Sequence, residues 1–105
     1  MSGNDTASFR AKVRVCLDAT TIVGRSGWRS GIRPNHRLEG REDYFIGQLE
    51  FLGRDWVAPG DCVDAVGTFI VLSRDASKFV PGLRWDVCEI PHRVGQAELI
   101  ERIDA

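Results

Sequence analysis

The chain has 105 residues, 43% of them hydrophobic and 28% charged, and its formal net charge is -1. This length supports one modest hydrophobic core and leaves no room for a second independent domain. The charge balance lacks the basic excess of a typical nucleic-acid-binding domain, so any anion site is expected to be local. No apolar run approaches the roughly 20 residues that span a bilayer, so we expect no membrane contact and a cytoplasmic location.

The small, polar residues 1–8 are predicted to form a flexible N-terminal tail. Apolar and polar residues then alternate from Phe9 to Leu17, which predicts a half-buried strand. The alternate face of this strand carries Arg10, Lys12 and Arg14. This row is either a solvated face that keeps the sheet soluble or a basic stripe for a partner.

Three cysteines are spread along the chain without a Cys-x-x-Cys pair or a histidine at ligand spacing, namely Cys16, Cys62 and Cys88. Their odd number and wide spacing argue against a disulfide framework and against a zinc site. We therefore expect core or sheet-face thiols, no metal and no cofactor.

Residues 24–41 have an arginine at every fourth position: Arg25, Arg29, Arg33, Arg37 and Arg41. This spacing would align the arginines along a helix. However, four glycines and Pro34 lie in the same window, and in a helix each interior glycine costs about 1 kcal/mol and a proline about 3 kcal/mol relative to alanine. The stretch is therefore predicted to be a long connection, with a short strand around Ile32 to Leu38, that displays its arginines and Trp28 to solvent.

Four further segments have strand character, and turns that contain Pro-Gly separate several of them. They are Asp43 to Leu52, Cys62 to Leu72, a strand after Pro81 and Gly82 that runs to about Glu89, and Arg93 to Ile103. Gly47 is expected to mark a bend, a bulge or a close backbone approach. The last segment also fits a helical turn or two. Six short strands without a long helix predict an all-β fold, either a small antiparallel barrel or a sandwich.

Five fragments resemble, in order and spacing, the C-terminal β-barrel domain of translation elongation factor Tu. They are "GR" at 24–25, "GIRPNH" at 31–36, "APGD" at 58–61, "GLRWDVCE" at 82–89 and "RVGQA" at 93–97. The resemblance covers about Phe9 to Ile103. It implies a six-stranded antiparallel closed β-barrel, residues 9–105 as a single domain, and the absence of the GTPase domain that holds the nucleotide in that factor.

The resemblance also implies a binding role. In the factor this domain contacts the T-stem backbone of aminoacyl-tRNA, packs against the GTPase domain and meets the exchange factor. Arg25 matches the arginine of the family's G-R motif that reaches RNA, and Asn35 replaces the glutamine of its R-P-Q motif. His92 and Arg93 lie where the family has a basic turn ahead of V-G. No G-x-x-x-x-G-K-[ST] motif occurs, so no nucleotide is expected.

The candidate binding residues for an RNA or protein partner are Arg25, Trp28, Arg29, Arg33, Asn35, His36, Arg37, His92 and Arg93. Arginines on a glycine-rich loop suit phosphates and carboxylates, and Trp28 could stack on a base or a ribose. Acidic residues adjoin the run, so several arginines could instead pair with Glu39, Glu42 and Asp43. No nucleophile motif accompanies His36 or His92, so no enzymatic activity is expected.

The predicted function is a non-catalytic binding module that engages a protein partner or RNA, including tRNA, through the arginine-rich loop. The low pI, about 6.1, favours an acidic or protein partner. One alternative is a decoy, mimic or immunity-type protein that binds a partner of elongation factor Tu. A small enzyme is the least favoured alternative.

Overall fold

The computed structural model describes residues 5–20 and 26–103. These residues form the following strands and one 3₁₀ helix, in chain order: β1 (Thr6–Leu17), β2 (Trp28–Arg29), β3 (Asn35–Arg37), β4 (Phe45–Phe51), β5 (Trp56–Val57), β6 (Cys62–Leu72), the 3₁₀ helix (Ser73–Lys78), β7 (Arg84–Glu89) and β8 (His92–Arg102). β1 begins at Thr6, which lies inside the predicted N-terminal tail.

Six of the described strands form a closed barrel in the order β1-β6-β4-β3-β7-β8, and every pairing is antiparallel. The barrel closes because β8 pairs with β1. β2 and β5 form a separate two-stranded sheet. The predicted all-β, six-stranded antiparallel closed β-barrel is therefore confirmed, and the sandwich is excluded.

The alternation of β1 fixes which side chains face the interior. Its inward residues, from Phe9 to Leu17 at every second position, are buried, whereas Arg10 and Arg14 are exposed. An aromatic cluster fills the middle of the barrel, with Phe69 in contact with Phe9, Phe45, His36 and Trp85. Each buried large side chain stabilises the fold by roughly 1.5–3 kcal/mol.

Gly47 confirms the prediction of a close approach. It pairs with Phe69 in the β4–β6 ladder, and a Cβ at this position would overlap the Phe69 ring. The missing side chain therefore makes room for the Phe69 ring.

The antiparallel arrangement gives the barrel two distinct ends. At one end β1 finishes at Leu17 and β6 starts at Cys62. The β2–β5 sheet lies at this end, where Ser30 Oγ, next to β2, accepts a hydrogen bond from the Phe51 amide at the end of β4. We call this the β2–β5 end. At the opposite end lie Thr6, Leu72 and the 3₁₀ helix, and we call it the helix end.

A disulfide joins Cys16 and Cys62 at the β2–β5 end, so the prediction of free thiols is wrong for these two residues. The two cysteines are directly opposite each other in the β1–β6 ladder, with their Cα atoms 4.0 Å apart. Strand pairing brings them together across 46 positions of sequence. Cys88 is a free, buried thiol, as the sequence predicts.

Candidate binding surface

Trp28 anchors the arginine-rich connection to the barrel. Its side chain is 0% exposed, and its indole Nε1 donates a hydrogen bond to Glu89 Oε2 at 3.0 Å. The predicted exposure of Trp28 is therefore wrong. Its partner across the two-stranded sheet, Val57, is buried as well. Gly27 precedes it with a φ of 140°, and a Cβ there would overlap the Val57 carbonyl oxygen, so the two segments are in close backbone contact.

Because side chains alternate along a strand, burial of Trp28 and Val57 turns their neighbours Arg29 and Trp56 outward. The Arg29 guanidinium lies 5.5 Å from the centroid of the Trp56 ring, within cation–π distance. These two side chains line an open depression of about 560 Å³ together with residues 26–27 and 30–32. The connection is thus an ordered surface in its described part.

Ser30 fixes the backbone beneath this depression. Its amide donates to the Asp55 carbonyl at 2.8 Å, and its hydroxyl donates to Glu50 Oε2 at 3.3 Å. The same hydroxyl accepts from the Phe51 amide at 2.8 Å. These bonds tie the connection to the ends of β4 and β5.

Arg33 is the second outward arginine of this region. It is exposed, and it follows Ile32, which lines the depression and pairs with Leu49. Within residues 5–20 and 26–103 its side chain makes no ion pair and no side-chain hydrogen bond. We call Arg29, Arg33 and Trp56 the arginine surface. Arg25, the residue matched to the family's RNA contact, lies outside the described residues.

His36 is removed from the candidate surface because its side chain is 0% exposed and points into the barrel. Its Nδ1 accepts a hydrogen bond from Trp85 Nε1 at 2.9 Å. The proton therefore resides on Nε2, which donates to the Gly47 carbonyl at 3.1 Å. Burial lowers the pKa of His36 from 6.5 to about 4, so the ring is neutral near pH 7.

Two predicted arginines belong to an ion-pair network on the outer wall. Arg93 contacts Asp18 at 2.9 Å and Asp86 at 3.1 Å. Asp86 also lies 3.7 Å from Arg37, whose guanidinium sits 5.7 Å from the Tyr44 ring centroid. Such partly exposed pairs contribute about 0–1 kcal/mol each, but they neutralise the charge that a partner would meet.

The remaining predicted residues are divided between two places. His92 is exposed and pairs with Glu89 across the β7–β8 hairpin, so it lies at the β2–β5 end near the Trp28 indole. Asn35 is half-buried in β3, between β4 and β7. Trp56 is not among the predicted surface residues. Its alternation with Val57 shows that the two side chains point to opposite faces, and burial of Val57 identifies Trp56 as the outward one.

The described residues contain no group of three or more His, Cys, Asp or Glu side chains that could hold a metal ion. In the same part of the chain, no helix has both the length and the apolar character needed to cross a bilayer.

A scan of the chain against protein-family models finds no match, and a search of curated proteins finds no similar sequence. The proposed kinship with elongation factor Tu therefore rests on the five sequence fragments.

Proposed function

We propose that this barrel is a non-catalytic binding module that contacts an acidic region of a partner protein through the arginine surface. The observation that supports it is the outward pair of Arg29 and Trp56, held in place by the buried Trp28. Because the anchor orders the connection in advance, binding costs less conformational entropy than it would for a free loop. An arginine beside an exposed aromatic ring is a favoured combination at protein interfaces.

The number of available cations favours protein over RNA. Arg37, Arg41 and Arg93 are already paired with carboxylates. That leaves Arg29 and Arg33 in this region of the described chain, whereas proteins that grip a nucleic-acid backbone make about 6–10 phosphate contacts. The overall charge of -1 agrees with this preference.

RNA remains a second candidate because of one feature. The half-exposed Trp56 ring is positioned for base stacking, and Arg29 lies beside it as a phosphate or stacking partner. The resemblance to the elongation factor Tu barrel, which contacts tRNA, supports the same candidate.

We also propose that the barrel is a relative of the elongation factor Tu C-terminal domain. On this proposal the partner is a protein that also meets that factor, and the chain acts as a decoy, mimic or immunity-type protein. A non-catalytic role is supported by His36, whose two ring nitrogens are both occupied by structural hydrogen bonds.

The Cys16–Cys62 disulfide counts against the predicted cytoplasmic location, because disulfides persist mainly in oxidising compartments. Alkylation of free thiols in rapidly quenched cells tests this point. An intact bond places the protein in an oxidising compartment and removes the translation-related partners from the proposal.

Affinity capture from lysate, with and without nuclease, tests the arginine surface. We expect a captured protein that resists nuclease and is lost with the Arg29→Ala, Arg33→Ala double variant. Arg74→Ala is the matched control, because Arg74 is an exposed arginine on the 3₁₀ helix at the other end. Unchanged capture by the double variant would remove the surface from the proposal, and a nuclease-sensitive capture would select RNA.

A further inference from the structure

The helix end contains a cavity that arises from uneven strand lengths. Pairing between β4 and β6 stops at Ile46 and Ile70, whereas β6 continues to Leu72 against Thr6 of β1. Beyond Ile46 the β4 side of the ladder is replaced by residues 38–44. The gap between this segment and the end of β6 is a cavity of about 190 Å³. Its apolar lining includes Phe45, Ile46, Ile70, Val71, Leu72 and Phe79.

The polar groups at the rim of the cavity bind one another. Arg41 contacts Asp75 through two hydrogen bonds of 3.1 and 3.2 Å and Asp43 through two of 3.0 and 2.9 Å. Asp75 also accepts from Lys78 at 3.1 Å. Small-molecule sites usually contain polar groups that orient the ligand. Here the charged groups are already engaged, and the other polar residues of the lining are Thr6 and Tyr44, so the rim favours an uncharged occupant that is oriented mainly by other contacts.

The surface around the cavity supplies such contacts. Ile46 is 56% exposed and Ile70 45% exposed, and they lie side by side on the outer face of β4 and β6. Ser8 is opposite Ile70 on β1, so this row carries no charge. The next outward-facing row consists of Gln48, Thr68 and Arg10, so the first charge on this face lies one row away from the two isoleucines. An exposed apolar patch beside a cavity is typical of a protein interaction site.

The volume of the cavity limits what can enter it. An apolar cavity of about 150 Å³ is sufficient to bind benzene. The present cavity, at about 190 Å³, accommodates one aromatic ring and excludes a larger cofactor.

We propose that this cavity receives a single phenylalanine-sized aromatic side chain of a partner protein, whose flanking residues lie on Ile46 and Ile70. The arrangement of one apolar cavity beside two exposed isoleucines matches a binding hot spot, in which a buried anchor side chain supplies most of the affinity. The site is at the opposite end from the arginine surface, and it does not depend on the function proposed for that surface.

A nuclear magnetic resonance titration with defined peptides tests this site. The probes are Gly-Gly-Phe-Gly-Gly and its counterpart with alanine in place of phenylalanine. We expect saturable shifts of the backbone amides at residues 44–46 and 70–72 with the phenylalanine peptide and none with the alanine peptide. Toluene serves as the free-ring probe and should bind more weakly than the phenylalanine peptide, because it lacks the contacts with Ile46 and Ile70.

Variants at the mouth separate this site from the rest of the barrel. Ile70→Asp and, independently, Ile46→Asp should each weaken binding by at least about tenfold, because they place a charge where an apolar ring must be desolvated. Ile100→Asp is the matched control: Ile100 is 37% exposed on β8 and does not line the cavity. Leu72→Trp, which fills the cavity with a ring of its own, should abolish binding while the melting temperature is kept.

Four outcomes would overturn the proposal. The first is the absence of any shift with the phenylalanine peptide up to its solubility limit. The second is binding of toluene without binding of the peptide, which would make the cavity a small-molecule site. Binding unchanged in folded Ile70→Asp and Ile46→Asp variants would place the peptide elsewhere. Sedimentation showing a dimer that Ile70→Asp dissociates would identify a second copy of the chain as the occupant.

Discussion

The two ends of this barrel are closed in different ways. At the β2–β5 end the Trp28 indole is buried and bonded to Glu89, while the neighbouring Arg29 points outward. At the helix end Phe79 covers the interior, but a cavity and two exposed isoleucines remain beside it. The β2–β5 end therefore presents Arg29 beside an open depression, and the helix end presents a cavity with a mainly apolar lining.

This difference indicates two kinds of recognition. Charged surfaces mainly set association rates, salt dependence and the choice of partner. Apolar sockets supply affinity through desolvation of an anchor side chain. On the two proposals above, the barrel would keep the charged contact that steers a partner and the apolar contact that anchors one at opposite ends.

The largest effect is expected from Trp28→Ala, which empties the closure of the β2–β5 end. Loss of a buried tryptophan costs about 3–5 kcal/mol, measured by urea unfolding followed by circular dichroism. Because Trp28 positions Arg29, the variant should also weaken partner capture. Phe79→Ala, at the helix end, should cost a similar amount of stability and leave capture through the arginine surface intact. Equal loss of capture in both variants would show that the two ends are not separable.

The β2–β5 end is stabilised by the disulfide as well as by the buried Trp28. Among the described residues, the helix end has no disulfide. Replacement of Cys16 and Cys62 by serine removes a link across 46 positions, which the chain-entropy treatment values at roughly 4 kcal/mol. We expect a correspondingly lower urea midpoint with the β1–β6 register kept, as seen by amide hydrogen exchange. A reductant should lower the midpoint of the parent protein by the same amount and leave the double variant unchanged.

His36 should make the aromatic interior sensitive to acid. Its pKa is lowered from 6.5 to about 4 by burial, so the unfolded chain binds a proton in this range that the folded barrel excludes. Protonation of His36 does not lower the free energy of unfolding above pH 6.5. As the pH falls from 6.5 towards 4, the free energy of unfolding decreases by about 3 kcal/mol in all.

The control for this effect is His36→Phe. This variant leaves the Trp85 N–H without its acceptor and should be less stable at pH 7. It should then lose less stability than the parent between pH 7 and pH 4. Parallel stability curves for the two proteins would contradict the assignment of the acid effect to His36.

The smallest effect on stability is expected from the arginine surface itself. Arg29→Ala and Arg33→Ala remove exposed side chains that make no ion pair in the described part of the chain, so each should change the free energy of unfolding by no more than about 0.5 kcal/mol. Thermal unfolding measures this directly. A large loss of stability would mean that these arginines hold the β2–β5 end together rather than serve a partner.

The strands could be predicted from local pattern. The alternation of β1, the β-branched run of β6 and the turn at Pro59 and Gly60 place these elements to within a few residues of their observed bounds. Closure into a barrel follows the resemblance to a known domain, and the pattern alone left the sandwich open. Pairing of Arg41 with Asp43 was also predictable, because the two residues are close in sequence.

Local pattern does not predict the burial of Trp28 and His36 or the disulfide of Cys16. Alternation identifies residues that share a face, but it does not say whether that face looks into the barrel or into solvent. A glycine-rich connection gives no signal that one of its side chains closes the barrel. The disulfide partner of Cys16 depends on the β1–β6 register, which is set by long-range pairing. For the same reason, a cavity formed by unequal strand ends leaves no trace in the sequence.

The pairing of β1 with β8 has a consequence for synthesis. β8 is the last of the described strands to leave the ribosome, so the nascent barrel holds one side of β1 unpaired until β8 has emerged. Open strand edges invite pairing with other chains. The outer face of β1 carries Arg10, Lys12 and Arg14, so two nascent chains that met along this strand would bring like charges together. A contact between like charges of this kind disfavours pairing between two unfinished barrels.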